Sequence, residues 1–263
     1  MIFTQQWIRE WIDINLEPSR LISQLTMAGL EVDAHGPVAA DFSGVIVAEV
    51  RNVIQHPDAD KLRVCEVFDG TEVLQVVCGA ANVRVGIKVP YARIGATLPV
   101  HNPAADTPTS FTIKKAKLRG VESFGMLCSA EELGMSDSSD GLLELPDDAP
   151  TGVCVREYLK TDDVFYEMDL TPNRGDCLSI RGLAREIAAL NNLEFNEPVV
   201  KNVTPTIKDV FPVTLLASAQ CPRYLCRVIK GINPESATPL WMQEKLRRCG
   251  LRSIDPVVDV TNF

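Results

Sequence analysis

Trp7, Ile8, Trp11 and Ile12 recur at helical spacing behind Thr4, whose hydroxyl suits an N-cap. A second helix is predicted from about Pro18, with Leu21, Ile22 and Leu25 on one face and a stop at Gly29. Leu30-Glu31-Val32-Asp33-Ala34 then alternates as a strand. Beyond about residue 40 the texture changes. Val45, Val47 and Val50 sit among small and polar residues, Leu62, Val64 and Val67 recur, and residues 73–77 form a short apolar run. Short apolar runs broken by Gly, Pro, Asn and Asp read as strands. At least five fall within residues 45–133, ending in a closing strand at 123–129 and a short helix at 130–133. That number suits a small closed barrel, and the five-stranded Greek-key form, the OB fold, is the candidate.

Residues 142–145 are apolar, and Pro146-Asp147-Asp148-Ala149-Pro150-Thr151-Gly152 reads as an exit linker. Residues 155–159 and 164–170 follow, the latter a predicted strand. Thr171-Pro172-Asn173-Arg174-Gly175 makes a turn, and Asp176 is placed to cap a helix carrying Leu183, Ile187 and Leu190 that ends near Asn191 and Asn192. The segments flanking the barrel are too short to be separate domains. The economical solution is an α+β multidomain chain. Residues 1–39 and 151–195 form one discontinuous α/β domain, and residues 40–150 form the inserted barrel. Insertion at a surface loop costs little closure entropy. Residues 196–263 make a third unit, with predicted strands at 211–216 and 224–232 and a helix opening at Thr238-Pro239 and stopping at Gly250. A last strand is expected at 257–260, so close to the final residue that this unit reads as the truncated start of a larger α+β domain.

A length of 263 residues suits two or three domains, and 46% hydrophobic with 23% charged residues is ordinary globular composition. The N-terminus lacks a basic region followed by an apolar run, and no apolar stretch approaches the roughly 20 residues that span a bilayer. A soluble, intracellular protein with no membrane partner is expected. The eight cysteines include no C-x-x-C pair and there are three histidines, so reduced structural thiols are expected rather than disulfides or zinc. A net charge of −9 argues against gripping nucleic acid over the whole surface. Any such contact is local.

Lys114, Lys115, Lys117 and Arg119 crowd into six residues with no acid among them. They are the candidate RNA-binding residues, because phosphate neutralisation by such a cluster releases counterions. The plain alternative is a solvated strand edge, where lysines block unwanted pairing. Aromatic side chains for base stacking are few: Tyr91, Phe111 and Phe124 are the barrel candidates besides Phe42 and Phe68, and Phe124 is expected in the core. His56, Asp58 and Asp60 form an H-x-D-x-D pattern, but no further ligand completes a tetrahedron and a Pro-Asx turn explains them. Arg247, Arg248 and Arg252 either face an RNA end or oppose a helix dipole. No nucleophile–base pair and no Gly-rich phosphate loop is recognisable, so no catalytic, cofactor-binding or metal-binding residue is assigned.

The pair HPDADKL and AKLRGVESFGMLCS resembles the tRNA-binding OB domain found in several tRNA-handling proteins. With WIREWIDI and LTMAGLEVD before it, and LTPNRGDCLSIRGLAREIAALN and CPRYLCRVIKGI after it, the whole chain resembles the β subunits of bacterial phenylalanyl-tRNA synthetase, a class II enzyme. The resemblance implies a cytoplasmic α2β2 ligase that joins phenylalanine to its tRNA with ATP and magnesium. Its implied partners are tRNA(Phe) and the α subunit, which carries the aminoacylation site. The β subunit is then expected to supply structure, tRNA contacts and an editing pocket in the domain beginning near Glu197, mostly beyond Phe263. This piece would itself be non-catalytic and hold no cofactor. One departure is the loop spanning residues 99–110, with Pro99, Pro103 and Pro108, which is longer than the family pattern. A stand-alone tRNA-binding module and a protein–protein scaffold are the competing readings.

Overall fold

A computed structural model describes residues 1–100 and 109–263. Its elements are β1 (Ile2–Thr4), α1 (Gln5–Arg9), α2 (Pro18–Met27), β2 (Glu31–Pro37), β3 (Ser43–Gln55), β4 (Arg63–Phe68), β5 (Val73–Cys78) and β6 (Lys88–Val100). There follow β7 (Thr109–Thr112), β8 (Ala116–Leu118), β9 (Val121–Ser123), β10 (Met126–Leu127), α3 (Val155–Leu159), β11 (Val164–Asp169), α4 (Ile180–Asn191), α5 (Leu240–Arg248) and α6 (Pro256–Asn262). Of the proline-rich loop, Pro99 lies within β6, while Pro103 and Pro108 lie outside the described residues.

The first sheet joins distant parts of the chain. Its order is β1-β11-β2, antiparallel throughout, so the strand that follows the β-rich insertion returns between the two that precede it. Beneath it Phe3, Ile8, Leu21, Leu25 and Leu30 share one core with Tyr166, Met168, Leu183 and Ile187. Thr4 caps α1 by accepting from the Trp7 N–H at 3.3 Å. Pro18 opens α2, and Gly29 past its end takes a left-handed φ of 85°. The expected cap of α4 is corrected. Asp176 falls inside a 3-10 turn (Pro172–Cys177) and its carboxylate pairs with Arg174, so Ser179 caps the helix through the Gly182 N–H.

The second sheet runs β10-β6-β3-β4-β5, with β7 added to β6, and β8 and β9 make a separate hairpin. Both faces of β3 are covered. Val45 and Val47 enter one core with Phe42, Leu98, Leu133 and Val155, while Ile46, Ala48 and Val50 enter another with Val67, Val76 and Val89. That two-sided burial is why residues 45–48 are apolar without interruption. The closed five-stranded barrel is not what the ladders give: β5 and β10 do not pair. Residues 122–124 lie beside β5 instead, through Phe124 N–H to the Gln75 carbonyl (2.9 Å), the Gln75 amide to the Glu122 carbonyl (2.7 Å), and Val77 N–H to Ser123 Oγ (3.0 Å). The expected closing strand is broken at Gly125, whose φ is 142° and where a Cβ would lie 2.5 Å from the Ala92 carbonyl oxygen. The expected helix at 130–133 is a hydrogen-bonded turn, closed reciprocally by Ser129 and Glu132.

In the third unit the expected strands at 211–216 and 224–232 do not form. These residues are largely exposed and have no ladder partner among the described residues, and an extended segment without one is not a strand. The expected strand at 257–260 is part of helix α6. Asp255 accepts from Val257 and Val258 N–H, and Pro256 occupies the first turn, which together outweigh the β-branched composition. Helix α5 is tied to the first unit by its basic end. Arg247 donates twice to the Val38 carbonyl at 3.0 Å, and Arg248, 8% exposed, donates to the Leu159 and Lys160 carbonyls and pairs with Asp163 and Glu244. Those two arginines are turned into the protein rather than toward an RNA end, and Arg252 stays exposed. No helix among the described residues is long and apolar enough to cross a membrane.

Candidate nucleic-acid interface

Of the cationic run, Lys117 and Arg119 lie on the β8–β9 hairpin, and Lys114 and Lys115 lie in the segment that leads from β7 into β8. Leu118 pairs with Val121, which leaves a two-residue turn of Arg119 and Gly120 with φ values of 43° and 90°. Two left-handed residues are what a type I′ hairpin turn needs. Glycine adopts that shape freely, whereas Arg119 does so at a cost of about 1–2 kcal/mol.

The hairpin rests on the turn between β3 and β4. Gln55 donates its side-chain amide to the Ala59 and Asp60 carbonyls, and Arg63 donates to the Asp60 carbonyl at 2.9 Å, so the turn is stiffened from within. His56, 2% exposed, joins the two elements. Its Nδ1 accepts from the Asp58 N–H at 3.1 Å, which places the ring proton on Nε2, and Nε2 donates to the Leu118 carbonyl at 3.1 Å. Both nitrogens are therefore engaged with backbone groups, and the H-x-D-x-D pattern works as a clamp rather than a ligand set. Elsewhere Asp176, Cys177 and Glu186 gather within 4.8 Å, and Arg174 pairs with both acids and offsets part of their charge.

All four candidate cations are exposed, but they do not share one face. Lys114 lines a cleft of about 1110 Å³ together with Ala116, Leu118 and Phe111. Lys115 lies on the other side, 2.9 Å from Glu122 and 4.6 Å above the Phe124 ring. Strand alternation puts Lys117 with Lys115, directly opposite Glu122 in register, and Arg119 stands at the apex. Among the described residues Lys114, Lys117 and Arg119 form no ion pair. The cleft also carries Glu131, Glu132 and Asp140, which oppose a phosphate backbone there. The aromatic candidates narrow as well. Tyr91 is 1% exposed, donates to the Phe124 carbonyl, and has its phenol pushed up to about 12 by burial, so it is core rather than a stacking platform. Phe111, 41% exposed, and half-buried Phe124 remain.

The buried thiols are poor nucleophiles. Cys65, Cys78, Cys128 and Cys177 are buried and free. Burial pushes the Cys65 thiol up to about 12 and raises Cys78 and Cys128 as well, so they stay protonated. What sequence reasoning missed is the part played by His56 and the backbone shape of Arg119. The signal for the latter was present in Leu118-Arg119-Gly120-Val121, a Gly in the second position of a two-residue turn between short strands.

Residues 45–154 match the protein family described as "Putative tRNA binding domain", and residues 220–263 match the family described as "B3/4 domain". The class so defined is an α+β multidomain protein with a domain of the tRNA-binding type. The particular relationship is sharper. The chain is 59% identical over 263 residues to the phenylalanine–tRNA ligase β subunit of Hahella chejuensis, covering all of this chain and 32% of that protein. It is 55% identical over 272 residues to the same subunit from Colwellia psychrerythraea (33% of that protein), and 56% identical over 264 residues to that of Pectobacterium atrosepticum (32%). Along its whole length the chain is thus related to bacterial phenylalanine–tRNA ligase β subunits, and it spans about a third of the length of these curated relatives. Among solved structures, the C-terminal domain of Plasmodium vivax p43 is similar at 22% identity and a TM-score of 0.28, over 41% of this chain and 56% of that one.

Proposed function

We propose that this chain supplies tRNA contacts and assembly surfaces to a phenylalanine–tRNA ligase, as a part of its β subunit, and carries out no chemistry itself. In this reading the complete enzyme uses ATP and magnesium, works in the cytoplasm as an α2β2 assembly, and takes tRNA(Phe) as its RNA. Residues 40–150 form the RNA-contacting domain of OB type, residues 1–39 and 151–195 its discontinuous host, and residues 196–263 the start of an editing-type domain. Lys114, Lys115, Lys117 and Arg119 are the RNA contacts. The observation that carries the reading is a coincidence in place: the tRNA-binding family match spans 45–154, and within it an acidic protein presents four exposed cations on the β8–β9 hairpin and the segment that leads into it.

The division of those cations over two hairpin faces fits a strand that crosses the hairpin better than one lying flat along it. Phosphate contacts of this kind are read through salt. With four contacts at roughly 0.7 each, the log–log salt slope for single-stranded RNA has an upper limit of about −3, and the Lys115–Glu122 pair brings it nearer −2. A filter-binding titration of tRNA against salt tests this. Binding without salt dependence, or none at all, contradicts it.

A further inference from the structure

We propose that Arg119 is the phosphate-contacting apex of the β8–β9 hairpin, and that His56, which touches no RNA, is the positioning residue that sets its aim. This rests on the reading of the hairpin as an RNA contact and adds to it which residue leads and what holds it.

Among the described residues three non-glycine residues have a left-handed backbone: Arg119, Lys160 and Asn192. Two have an evident structural use. Lys160 and Asn192 are the C-caps of α3 and α4, where that shape returns the cap N–H to the last helical carbonyls. At Lys160 it also leaves the Leu159 and Lys160 carbonyls to accept from Arg248. Arg119 closes no helix, and its guanidinium forms no hydrogen bond or ion pair among the described residues. Glycine or asparagine would fill this turn position without strain. A strained residue whose side chain has no partner among the described residues is the pattern of a binding position.

The second observation is the clamp. The Leu118 carbonyl that accepts from His56 belongs to the same rigid peptide plane as the Arg119 N–H. Fixing that plane fixes one side of the φ rotation that gives the apex its shape. His56 is itself held from the other side by the Asp58 N–H, so the plane is referred to the stiff β3–β4 turn and not to the hairpin alone. The Asp58 carboxylate lies beside the apex, 4.0 Å from where a Cβ on Gly120 would stand. It disfavours phosphates that approach from the turn side and leaves the outer side open. The ligand group is a backbone phosphate of RNA, met by one guanidinium whose direction is preset.

The two ring nitrogens can be separated by substitution. An amide nitrogen in His56→Gln reaches the Nε2 position and keeps the Leu118 bond, whereas His56→Asn reaches only the Nδ1 position and keeps the Asp58 bond. The experiment measures binding of an unmodified tRNA transcript to the full chain across salt, for wild type, R119G, H56Q, H56N and the H56N/R119G double variant, with thermal melts of each. R119G is expected to melt no lower than wild type, since it relieves strain, yet to bind several-fold more weakly with a salt slope shallower by about 0.7–0.9. H56N is expected to reproduce that loss with Arg119 present, H56Q to retain most of the affinity, and the double variant to be no weaker than R119G. If wild type binds but R119G matches it in slope and affinity, or the H56N and R119G losses add, the apex proposal is overturned while the RNA reading stands. If wild type shows no salt-dependent binding, the RNA reading falls and takes this one with it. Should H56N fail to melt cooperatively, the His56 Nε2–H resonance of the wild-type chain decides: a shift on adding transcript supports the positioning role, and a stationary signal overturns it.

Discussion

Phe3 and Tyr166 stack at a ring separation of 5.0 Å on adjacent strands, one near the start of the chain and the other after the whole β-rich insertion. The Tyr166 hydroxyl also donates to Gln5 Oε1 at 3.1 Å, so the contact is both apolar and polar. Both rings are fully buried. Tyr166→Ala should therefore destabilise the chain by about 3–5 kcal/mol, as large-to-small aromatic changes in cores do. Tyr166→Phe should cost only about 1 kcal/mol, for the Gln5 oxygen left without its donor. Denaturant melts of both variants check this, and equal losses would contradict the packing account.

The break between β9 and β10 depends on Gly125. Its φ of 142° is open to glycine, and a Cβ would stand 2.5 Å from the Ala92 carbonyl oxygen and 2.8 Å from the Tyr91 hydroxyl. Gly125→Ala should lower stability by at least about 2 kcal/mol, through backbone strain together with overpacking. A variant that melts like wild type would show that this bend is not needed.

Acid should act on the turn between β4 and β5. Burial alone would raise the Asp69 carboxyl, but the N–H groups of Glu72 and Thr71, the Thr71 hydroxyl and the Arg93 guanidinium outweigh it and bring it down to about 2. A carboxyl lower in the folded than in the unfolded chain stabilises the fold above its unfolded value, near 4. That contribution is lost as pH falls from about 4 toward 2. Asp69→Asn should be less stable at neutral pH and should lose less stability than wild type over that interval. Parallel acid titrations of the two would contradict the assignment.

Much of the first unit was legible because its signals are local. Thr4, Pro18 and Gly29 mark helix ends by short-range hydrogen bonding and backbone preference, and neighbours do not alter them. Where two local signals compete, as Asp176 and Ser179 do for the α4 cap, composition does not decide; Arg174 does, by taking the Asp176 carboxylate. Residues 211–216 and 224–232 have strand composition, but a strand is a relation to a partner. The cationic run was visible as a cluster. Its division between hairpin faces follows from a period of two that the spacing of Lys114, Lys115 and Lys117 already contained. The clamp from His56 to Leu118 was not legible, because it joins a turn to a hairpin far along the chain.

The most direct test of the proposed RNA role is a salt-dependent filter-binding titration with tRNA, comparing wild type with a variant in which Lys114, Lys115 and Lys117 are all glutamate. Wild-type binding should weaken as salt rises, with a slope between about −2 and −3, and the triple variant should show no measurable retention. Equal retention by the two chains would remove the hairpin as the RNA site.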